Sequence, residues 1–360
     1  MTNATIESDL LSLDEEARLG FVLEMRRRWS QQLFERQRYE YEAATAAEPP
    51  ATVEEAVDAL QRLPTHPWFG WIERNIQKQK WRAVADVVDR HWDRIGRDGN
   101  RGEIGPSTLE LNDDFALPDW YTGIDIHCQP GGVWADDQNA YVYELGARIL
   151  HLGRNDQLEL HELFTRTLFG DVEPGARIVD LGCGFAKSTR PFAARFPDAE
   201  VIGVDMAAPL LKLGWRRANE AGLRIRFLQA DASDVPLPDQ SCAVVTGTMV
   251  LHELPGDVLA ATLTEAVRLL RPGGELRFLE FARTGDLYVD ACLQEHAARN
   301  NEPFMPLLMD FPVVDVLEAA GATNVRWIPF DERGPGAVDE HPHATAWRFP
   351  WAVLAAERLP

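Results

Sequence analysis

The amino-acid sequence predicts an α/β fold, in which a doubly wound seven-stranded parallel sheet with an antiparallel last strand follows a mainly helical region. From Gly175 onward, short apolar runs alternate with helical patterns, as is typical of parallel strands covered by helices on both faces. The last two strand-like runs have no helical pattern between them, so the seventh strand should pair in the antiparallel direction. Before residue 165 the apolar residues recur at helical spacing. We therefore predict a helical domain over residues 1–165 and an α/β domain over residues 170–360.

Seven apolar runs are the strand candidates of the α/β domain. They are, in order, ARIVDLG, AEVIGVDM, IRFLQAD, AVVTGTMV, ELRFLEFA, NVRWIPFD and HATAWRFPWAVLAAER. Helical patterns separate the first six, so these six should lie parallel to one another.

Two capping boxes predict helix starts in the N-terminal region. Residues 12–15 (SLDE) and 52–55 (TVEE) each place a hydroxyl side chain three positions before a glutamate, a pattern in which the two residues cap each other's backbone N–H groups. A further helical stretch begins near Pro67, and residues 137–151 form another. Between them, residues 96–135 form a long irregular segment, and such segments within a compact domain are often functional.

The composition limits the possible functions. The chain of 360 residues has a formal net charge of −21, which disfavours a nucleic-acid-binding surface because phosphate contacts need clustered Lys and Arg. The four cysteines include no Cys-x-x-Cys pair, so neither a zinc site nor a disulfide framework is indicated. No signal-peptide pattern opens the sequence, and no apolar run approaches the roughly 20 residues of a membrane span. We expect a cytoplasmic protein without nucleic-acid or membrane partners, either a monomer or a homo-oligomer.

A glycine-containing loop follows the first strand candidate, where residues 178–197 read IVDLGCGFAKSTRPFAARFP. A phosphate-binding loop needs G-x-x-x-x-G-K-[ST], but no glycine stands directly before Lys187. A dinucleotide-binding loop needs a third small residue where Lys187 stands, and Asp180 would face its pyrophosphate with like charge. An ordinary tight turn is a further alternative. The remaining interpretation is a loop that binds a ligand without a phosphate.

Residues 180–184 (DLGCG) resemble motif I of the class I S-adenosylmethionine-dependent methyltransferases, with Ala186 in the place of a frequent third glycine. Later segments resemble further motifs of that superfamily in the same order: VIGVDMA, LQADASDVPLPD, LPDQSCAVVTGTMVLHELP and LLRPGGELRFLE. Cys242-Ala243 replaces a common Phe-Asp pair, which leaves that one contact in doubt. The resemblance covers residues 170–360 and is nearest to the ubiquinone/menaquinone-type small-molecule methyltransferases. It implies a Rossmann-like fold and S-adenosylmethionine as the cofactor.

The resemblance also assigns cofactor contacts. Gly182 and Gly184 let the backbone approach the methionine and ribose portions, because neither residue has a Cβ. Asp205, at the end of the second strand, would accept hydrogen bonds from both ribose hydroxyls, and Asp231 would bind the adenine amine. We expect Asp205 to have no packing role. The remaining expected cofactor contacts are Asp180, Cys183, Met206, Ala232 and Thr248.

The acceptor site is expected between residues 115–144, which would act as a lid, and residues 283–308, the insertion after the fifth strand. An ordinary packed linker is the alternative for the first segment. One of Tyr141 and Tyr143 should face the pocket while the other packs in the core. The expected substrate-binding residues are Tyr121, His127, Gln129, Trp134, Tyr141 and His296.

His252 and His127 are the candidate catalytic residues. His252 follows the fourth strand, the carboxyl ends of parallel strands form the crevice of an open sheet, and a histidine titrates near neutral pH. A structural turn histidine is the alternative for His252. A metal site that joins His252 and Glu253 to Glu295 and His296 is also conceivable, but we assign no metal.

Three functions are considered. The leading hypothesis is a methyltransferase that acts on a small molecule, in specialised metabolism. The second is a protein or RNA methyltransferase, of which the RNA form is disfavoured by the acidic charge. The third is a non-catalytic S-adenosylmethionine-binding subunit, which the complete set of cofactor motifs disfavours.

Overall fold

Nine strands form one sheet in the computed structural model, which describes residues 11–99 and 104–359. The strands are β1 (Thr108–Glu110), β2 (Arg177–Leu181), β3 (Glu200–Asp205), β4 (Arg226–Gln229), β5 (Cys242–Thr248), β6 (Leu270–Phe281), β7 (Ala322–Asp331), β8 (Gly336–Ala337) and β9 (Trp351–Arg358). Their order across the sheet is β1-β4-β3-β2-β5-β6-β9-β7-β8. Strands β2 to β6 pair in parallel, and β9 pairs antiparallel with both β6 and β7. The doubly wound sheet with an antiparallel last strand is therefore confirmed.

Two strands extend this sheet beyond the seven that the sequence predicts. β1 pairs in parallel with β4 at one edge, and β8 forms a hairpin with β7 at the other. The seventh predicted strand begins late, at Trp351 rather than at residue 343. Proline at positions 342 and 350 explains the late start, because a proline has no N–H to donate to a neighbouring strand.

Helices cover both faces of the sheet and build the N-terminal region. They are α1 (Leu13–Arg28), α2 (Phe34–Thr45), α3 (Val53–Gln61), α4 (His66–Gly99), α5 (Asp119–Thr122), α6 (Asp137–Leu150), α7 (Glu159–Leu168), α8 (Thr189–Arg195), α9 (Ala208–Glu220), α10 (Gly256–Leu269), α11 (Leu287–Asn300), α12 (Met305–Asp310) and α13 (Val313–Ala319). A π-helical turn at Trp29–Leu33 joins α1 to α2. Among the described residues, no helix is both long and apolar enough to cross a membrane.

Both predicted capping boxes mark helix starts. The Ser12 hydroxyl and the Glu15 carboxylate cap each other's backbone N–H groups at the start of α1. The Thr52 hydroxyl accepts a 3.2 Å hydrogen bond from the Glu55 N–H at the start of α3. The Glu55 carboxylate accepts from the Ala51 N–H and not from the Thr52 N–H, so only half of the second capping box is formed. The irregular segment predicted over 96–135 contains only β1, α5 and a 3-10 turn at Ile126–Cys128 in its described part beyond α4.

The N-terminal helices and the sheet share one hydrophobic core. Trp29 and Trp81 from the helices are buried in the same cluster as Phe192 and Phe281 from the α/β part. Helix α6 packs against both α4 and α9. This packing places the segment between β1 and α6 over the carboxyl ends of the parallel strands.

Candidate functional site

A cavity of about 790 Å³, including the part open to solvent, lies at the carboxyl ends of β2, β3, β4 and β5. Its walls come from the glycine loop, from the ends of these strands and from the segment before α6. The lining residues are Trp120, Tyr121, Ile126, His127, Val133, Tyr143, Gly182, Gly184, Asp205, Met206, Leu210, Ala230, Asp231, Ala232, Met249, Val250, Glu253 and Leu254.

The glycine loop approaches the cavity with backbone alone. Gly182 and Gly184 have φ angles of +68° and +52°, in the region that favours glycine. A Cβ at Gly182 would lie 2.4 Å from Cγ2 of Val250, whereas a Cβ at Gly184 would meet no atom within 4 Å. Ala186 is fully buried and lies against Gly214 of α9. The loop therefore needs glycine at position 182 for packing. At position 184 it presents backbone without a side chain to the open space of the cavity.

Asp205 ends β3 and holds this loop in place. Its Oδ2 accepts a 2.8 Å hydrogen bond from the Gly184 N–H, and its Oδ1 accepts one of 2.8 Å from the Ala207 N–H. Burial raises the pKa of Asp205, and these backbone hydrogen bonds oppose the shift. We expected Asp205 to have no packing role, but its carboxylate joins the loop after β2 to the loop after β3 through these two hydrogen bonds.

Asp180 lies behind the glycine loop and does not line the cavity. It is fully buried, and its Oδ2 accepts 2.6 Å hydrogen bonds from the hydroxyls of Ser188 and Thr189. Its Oδ1 is buried without a hydrogen-bond partner. Burial raises the pKa of Asp180 to about 6, although the two hydroxyls oppose the shift. The contact with the cofactor that was predicted for Asp180 remains a prediction, and the structure places this side chain beneath the loop.

The other expected cofactor contacts divide into two groups. Met206, Asp231 and Ala232 line the cavity, and Oδ1 of Asp231 accepts two hydrogen bonds from the N–H and hydroxyl of Ser233. Cys183 is buried and its N–H donates to the backbone of β3, while Thr248 is half-buried with a hydroxyl that has no hydrogen-bond partner. Neither Cys183 nor Thr248 is among the residues that line the cavity.

His127 lies at the cavity wall between two carboxylates. Its Nδ1 is 3.0 Å from Oε1 of Glu302, and its Nε2 is 3.2 Å from Oε1 of Glu253. Its ring stacks on Tyr143 with an interplanar angle of 3°. Burial lowers the pKa of His127, but Glu253 and Glu302 outweigh it, so the pKa is raised. The two carboxylates thus favour the charged form of the imidazole, in which both nitrogens donate.

His252 does not reach the cavity, contrary to its expected place at the crevice. Only 1% of its side chain is exposed. Its Nδ1 is 2.8 Å from Oε2 of Glu280, and its Nε2 is 3.3 Å from Oε1 of Glu253. Burial lowers the pKa of His252, but Glu280 and Glu253 raise it well above the usual value. An imidazolium that donates from both nitrogens has no free lone pair, so this geometry gives His252 a positioning role.

These contacts form one carboxylate–histidine chain, made of Glu302, His127, Glu253, His252 and Glu280. The middle carboxylate bridges the two histidines through Oε1. Its other oxygen, Oε2, is buried without a hydrogen-bond partner. Oε2 of Glu302 is likewise buried without a partner, but of the two glutamates only Glu253 lines the cavity.

Four of the six expected substrate-binding residues do not line the cavity. Tyr121 and His127 line it, but Tyr141 packs edge-on against Trp92 in the core, and Tyr143 takes the cavity position instead. The remaining three are placed elsewhere: Gln129 is fully buried and donates to the Asn139 carbonyl, the Trp134 indole lies against Gly132, and His296 is buried with Glu73 and Trp347.

The conceivable metal site is not assembled. His252 lies with Glu253 and Glu280, whereas His296 bonds Glu73 and Glu295 bonds Arg299. In the described part of the chain, no group of three or more His, Cys, Asp or Glu side chains is arranged to hold a metal ion.

Sequence comparison identifies the class of the α/β part. Residues 178–274 match the family described as "Methyltransferase domain". The chain is 40% identical over 105 residues to demethylmenaquinone methyltransferase of Thermus thermophilus, an alignment that covers 29% of this chain and 47% of the relative. It is 38% identical over 140 residues to the ubiquinone/menaquinone biosynthesis C-methyltransferase UbiE of Ectopseudomonas mendocina, covering 37% and 54%.

Two further proteins show the spread of similar sequences and folds. The fatty-acid O-methyltransferase of Mycolicibacterium smegmatis is 39% identical over 105 residues, covering 29% of this chain and 36% of that protein. The phosphoethanolamine N-methyltransferase 2 of Haemonchus contortus, solved with S-adenosyl-L-methionine, aligns with a TM-score of 0.45 and 14% identity over 63% of this chain and 58% of that one. The chain spans about half the length of the first curated relatives it matches. It contains a class I S-adenosylmethionine-dependent methyltransferase domain.

Proposed function

We propose that this protein transfers the methyl group of S-adenosylmethionine to a small-molecule acceptor. One observation carries the proposal: most of the expected cofactor residues line the same cavity as His127 and Tyr121 from the expected acceptor side. Gly182, Gly184 and Asp205 form one wall, and His127 and Glu253 form the other. A methyl transfer needs the two reactants in one place, in line and without water, and a shared cavity provides this.

The cofactor would occupy the side of the cavity next to the glycine loop. Gly184 leaves open space there, and Asp205 keeps lone pairs for the ribose hydroxyls, since each of its oxygens accepts one backbone hydrogen bond. Asp231 and Ala232 lie at the expected adenine end. The bound cofactor supplies an already activated methyl group, so the protein's own contribution is to position the acceptor and to exclude water.

The acceptor would bind on the side opposite the glycine loop. This side combines the apolar side chains of Trp120 and Ile126 with the phenol of Tyr143 and the carboxylate of Glu253. Burial raises the pKa of Tyr143, so its hydroxyl is neutral and can donate. The unpartnered Oε2 of Glu253 accepts a hydrogen bond or a proton. We therefore propose an acceptor with an apolar body and an N–H or O–H group at the methylated end, with Glu253 as its partner.

We further propose a role in specialised metabolism and a place in the cytoplasm. The names of the curated relatives, among them a fatty-acid O-methyltransferase and the ubiquinone/menaquinone biosynthesis C-methyltransferase UbiE, support a small-molecule acceptor. All four cysteines are free and buried, which suits the cytoplasm. The alternatives are a protein methyltransferase, which needs a route for a peptide into the cavity, an RNA methyltransferase, and a non-catalytic partner subunit. A homo-oligomer is compatible with each of these.

The test is a methyl-transfer reaction with trideuteromethyl-labelled S-adenosylmethionine, run separately on metabolite extracts and on protein extracts and read by mass spectrometry. We expect a labelled small molecule in the first reaction and about ten- to a hundredfold less of it with an Asp205→Ala variant when the cofactor is well below saturation. Label in protein only would support the second function. Label in neither extract, with cofactor binding intact, would support the non-catalytic subunit.

A further inference from the structure

A second cavity, which we call the arginine cavity, has a volume of about 690 Å³ and shares no lining residue with the cofactor cavity. It lies between the N-terminal helices and the edge of the sheet formed by β7 and β9. Four arginines line it: Arg26, Arg154, Arg333 and Arg348. The chain as a whole has a net charge of −21, so this concentration of cations opposes the general charge.

Arg26 is the most deeply placed of the four. It lies on α1 with 4% of its surface exposed. In the described part of the chain its guanidinium forms no hydrogen bond or ion pair. Its one cation–π contact there is with Trp29, whose ring centroid lies 5.8 Å from Cζ of Arg26. Burial lowers the pKa of Arg26, and the more distant Glu73 and Glu302 oppose the shift. A guanidinium stays charged in proteins, so a buried one without an acceptor is costly unless a ligand supplies the acceptor.

Arg154 and Arg348 also lack side-chain partners among the described residues. Arg333 lies 3.7 Å from Glu332, whose other oxygen accepts a hydrogen bond from the Trp351 indole. The pKa of Arg333 is lowered, first by burial and then by the like charges of Arg348 and Arg154. The arginines therefore repel one another, and Arg333, Arg348 and Arg154 all act electrostatically on the carboxylate of Glu332.

A second carboxylate, that of Glu159, lines the arginine cavity and accepts a hydrogen bond from the Gln157 N–H. Four guanidiniums thus face two carboxylates, so the residues that line the cavity carry an excess of positive charge.

Aromatic rings form the apolar walls of this cavity. Trp29 lies edge-on to Trp347 at a centroid distance of 6.3 Å, and Phe349 lies 6.2 Å from Trp347 and 5.9 Å from Trp351. Flat side chains of this kind bind flat apolar groups by stacking. Guanidiniums bind carboxylates and phosphates through paired N–H donors.

We propose that the arginine cavity is a binding site for an anionic ligand, a carboxylate or phosphate carried on a flat apolar ring. The site does not rest on the proposed methyl transfer, because it lies apart from the cofactor cavity. The stacked Phe281 and Phe349, 4.5 Å between centroids, separate it from His252.

The test is ligand-observed NMR on the full chain with benzoate, phenyl phosphate and the neutral benzamide as probes. We expect one or both anions to bind and benzamide to bind at least about tenfold more weakly, because the neutral amide carries no charge to strengthen its hydrogen bonds with the guanidiniums. Preference for benzoate would identify a carboxylate ligand, and preference for phenyl phosphate a phosphate ligand. Saturating S-adenosylhomocysteine should leave the affinities unchanged.

Two variants and one control complete the experiment. Arg26→Met and Arg348→Met should each weaken the bound anion about tenfold or more. Arg28→Met, on the same helix but exposed and paired with Glu24, should not. Arg348 is only half-buried, so its variant remains informative where Arg26→Met fails to fold. Binding of neither anion, equal binding of benzamide, competition by S-adenosylhomocysteine, or unchanged affinity in Arg348→Met would each overturn the proposal.

Discussion

The backbone N–H of Gly184 donates a 2.8 Å hydrogen bond to the carboxylate of Asp205, although the two residues follow different strands. The same carboxylate accepts from the Ala207 N–H. The loop after β2 and the loop after β3 are thus joined by one side chain at the point where the cofactor ribose is proposed to bind. Changes at Asp205 should therefore affect both ligand affinity and the fold.

Replacing Asp205 by Ala should weaken S-adenosylmethionine and S-adenosylhomocysteine alike, by about one to two orders of magnitude. The losses should match because the ribose is common to both ligands and remote from the methyl group. The apo protein should also lose about 1–3 kcal/mol of stability, since two backbone donors lose their acceptor. Asp205→Asn should lose less of both, because its amide oxygen still accepts. Calorimetric affinities and thermal melts measure these effects, and an unchanged melt would show that the two loop contacts are energetically neutral.

Replacing the two loop glycines by Ala should separate packing from ligand contact. Both positions have positive φ, so each substitution costs about 1–2 kcal/mol in backbone conformation. Gly182→Ala should cost more, because its Cβ would meet Val250 at 2.4 Å. Gly184→Ala should retain more stability but lose cofactor affinity. The double variant Gly182→Ala/Val250→Ala should recover part of the stability, and failure to recover any would argue against the steric cause.

Ionisation of Asp180 should make the fold less stable as the pH rises from about 4 to about 7. Its folded pKa of about 6 lies above its usual 3.8, so the native state binds the proton more tightly than the unfolded chain does. The native state therefore loses stability as the pH rises from about 4 to about 7, by about 3 kcal/mol. Asp180→Asn cannot ionise and keeps an acceptor for Ser188 and Thr189. We expect denaturant unfolding at several pH values to show that the stability of the variant relative to the wild type increases from about pH 4 to about pH 7. A stability difference that does not change with pH would contradict the raised pKa of Asp180.

Glu302→Gln should lower the pKa of His127. In the wild type the two flanking carboxylates raise this pKa above its unfolded value, so the charged ring stabilises the fold below about pH 6.5, and this stabilisation is lost as the pH rises through the folded pKa. In Glu302→Gln, this stabilisation by the charged His127 ring should be lost at a lower pH than in the wild type. NMR titration of labelled histidines, assigned with His127→Gln, measures the shift. Glu280→Gln is the matched control, which should lower the pKa of His252 and leave that of His127 nearly unchanged.

The sheet could be predicted because its signal is local. Each core strand is a short apolar run, and the missing helix before β9 revealed the antiparallel strand. β1 escaped prediction because Thr108–Glu110 is three residues long and mostly exposed, so it has no apolar run and is recognised only by its pairing with β4. Pairing partners in space leave no trace in the local pattern of such a short strand.

The acceptor side was harder to predict because its contacts join distant parts of the chain. Tyr141 and Tyr143 both lie on α6, and helical spacing does not tell which face meets a cavity and which meets the core. The burial of His252 depends on Glu280 from the next strand, and His127 depends on Glu302, 175 positions away. Glu253 was noticed only as a conceivable metal ligand. A glutamate directly after His252 at a strand end was the available signal for its place at the cavity.

The measurement that most directly tests the cofactor assignment is a calorimetric titration of the full chain with S-adenosylhomocysteine, NAD and ATP. We predict that one S-adenosylhomocysteine binds per chain and that NAD and ATP do not bind. The affinity for S-adenosylhomocysteine should be about tenfold or more weaker in Asp205→Ala. Binding of NAD in the micromolar range, or S-adenosylhomocysteine affinity that is unchanged in Asp205→Ala, would contradict this assignment.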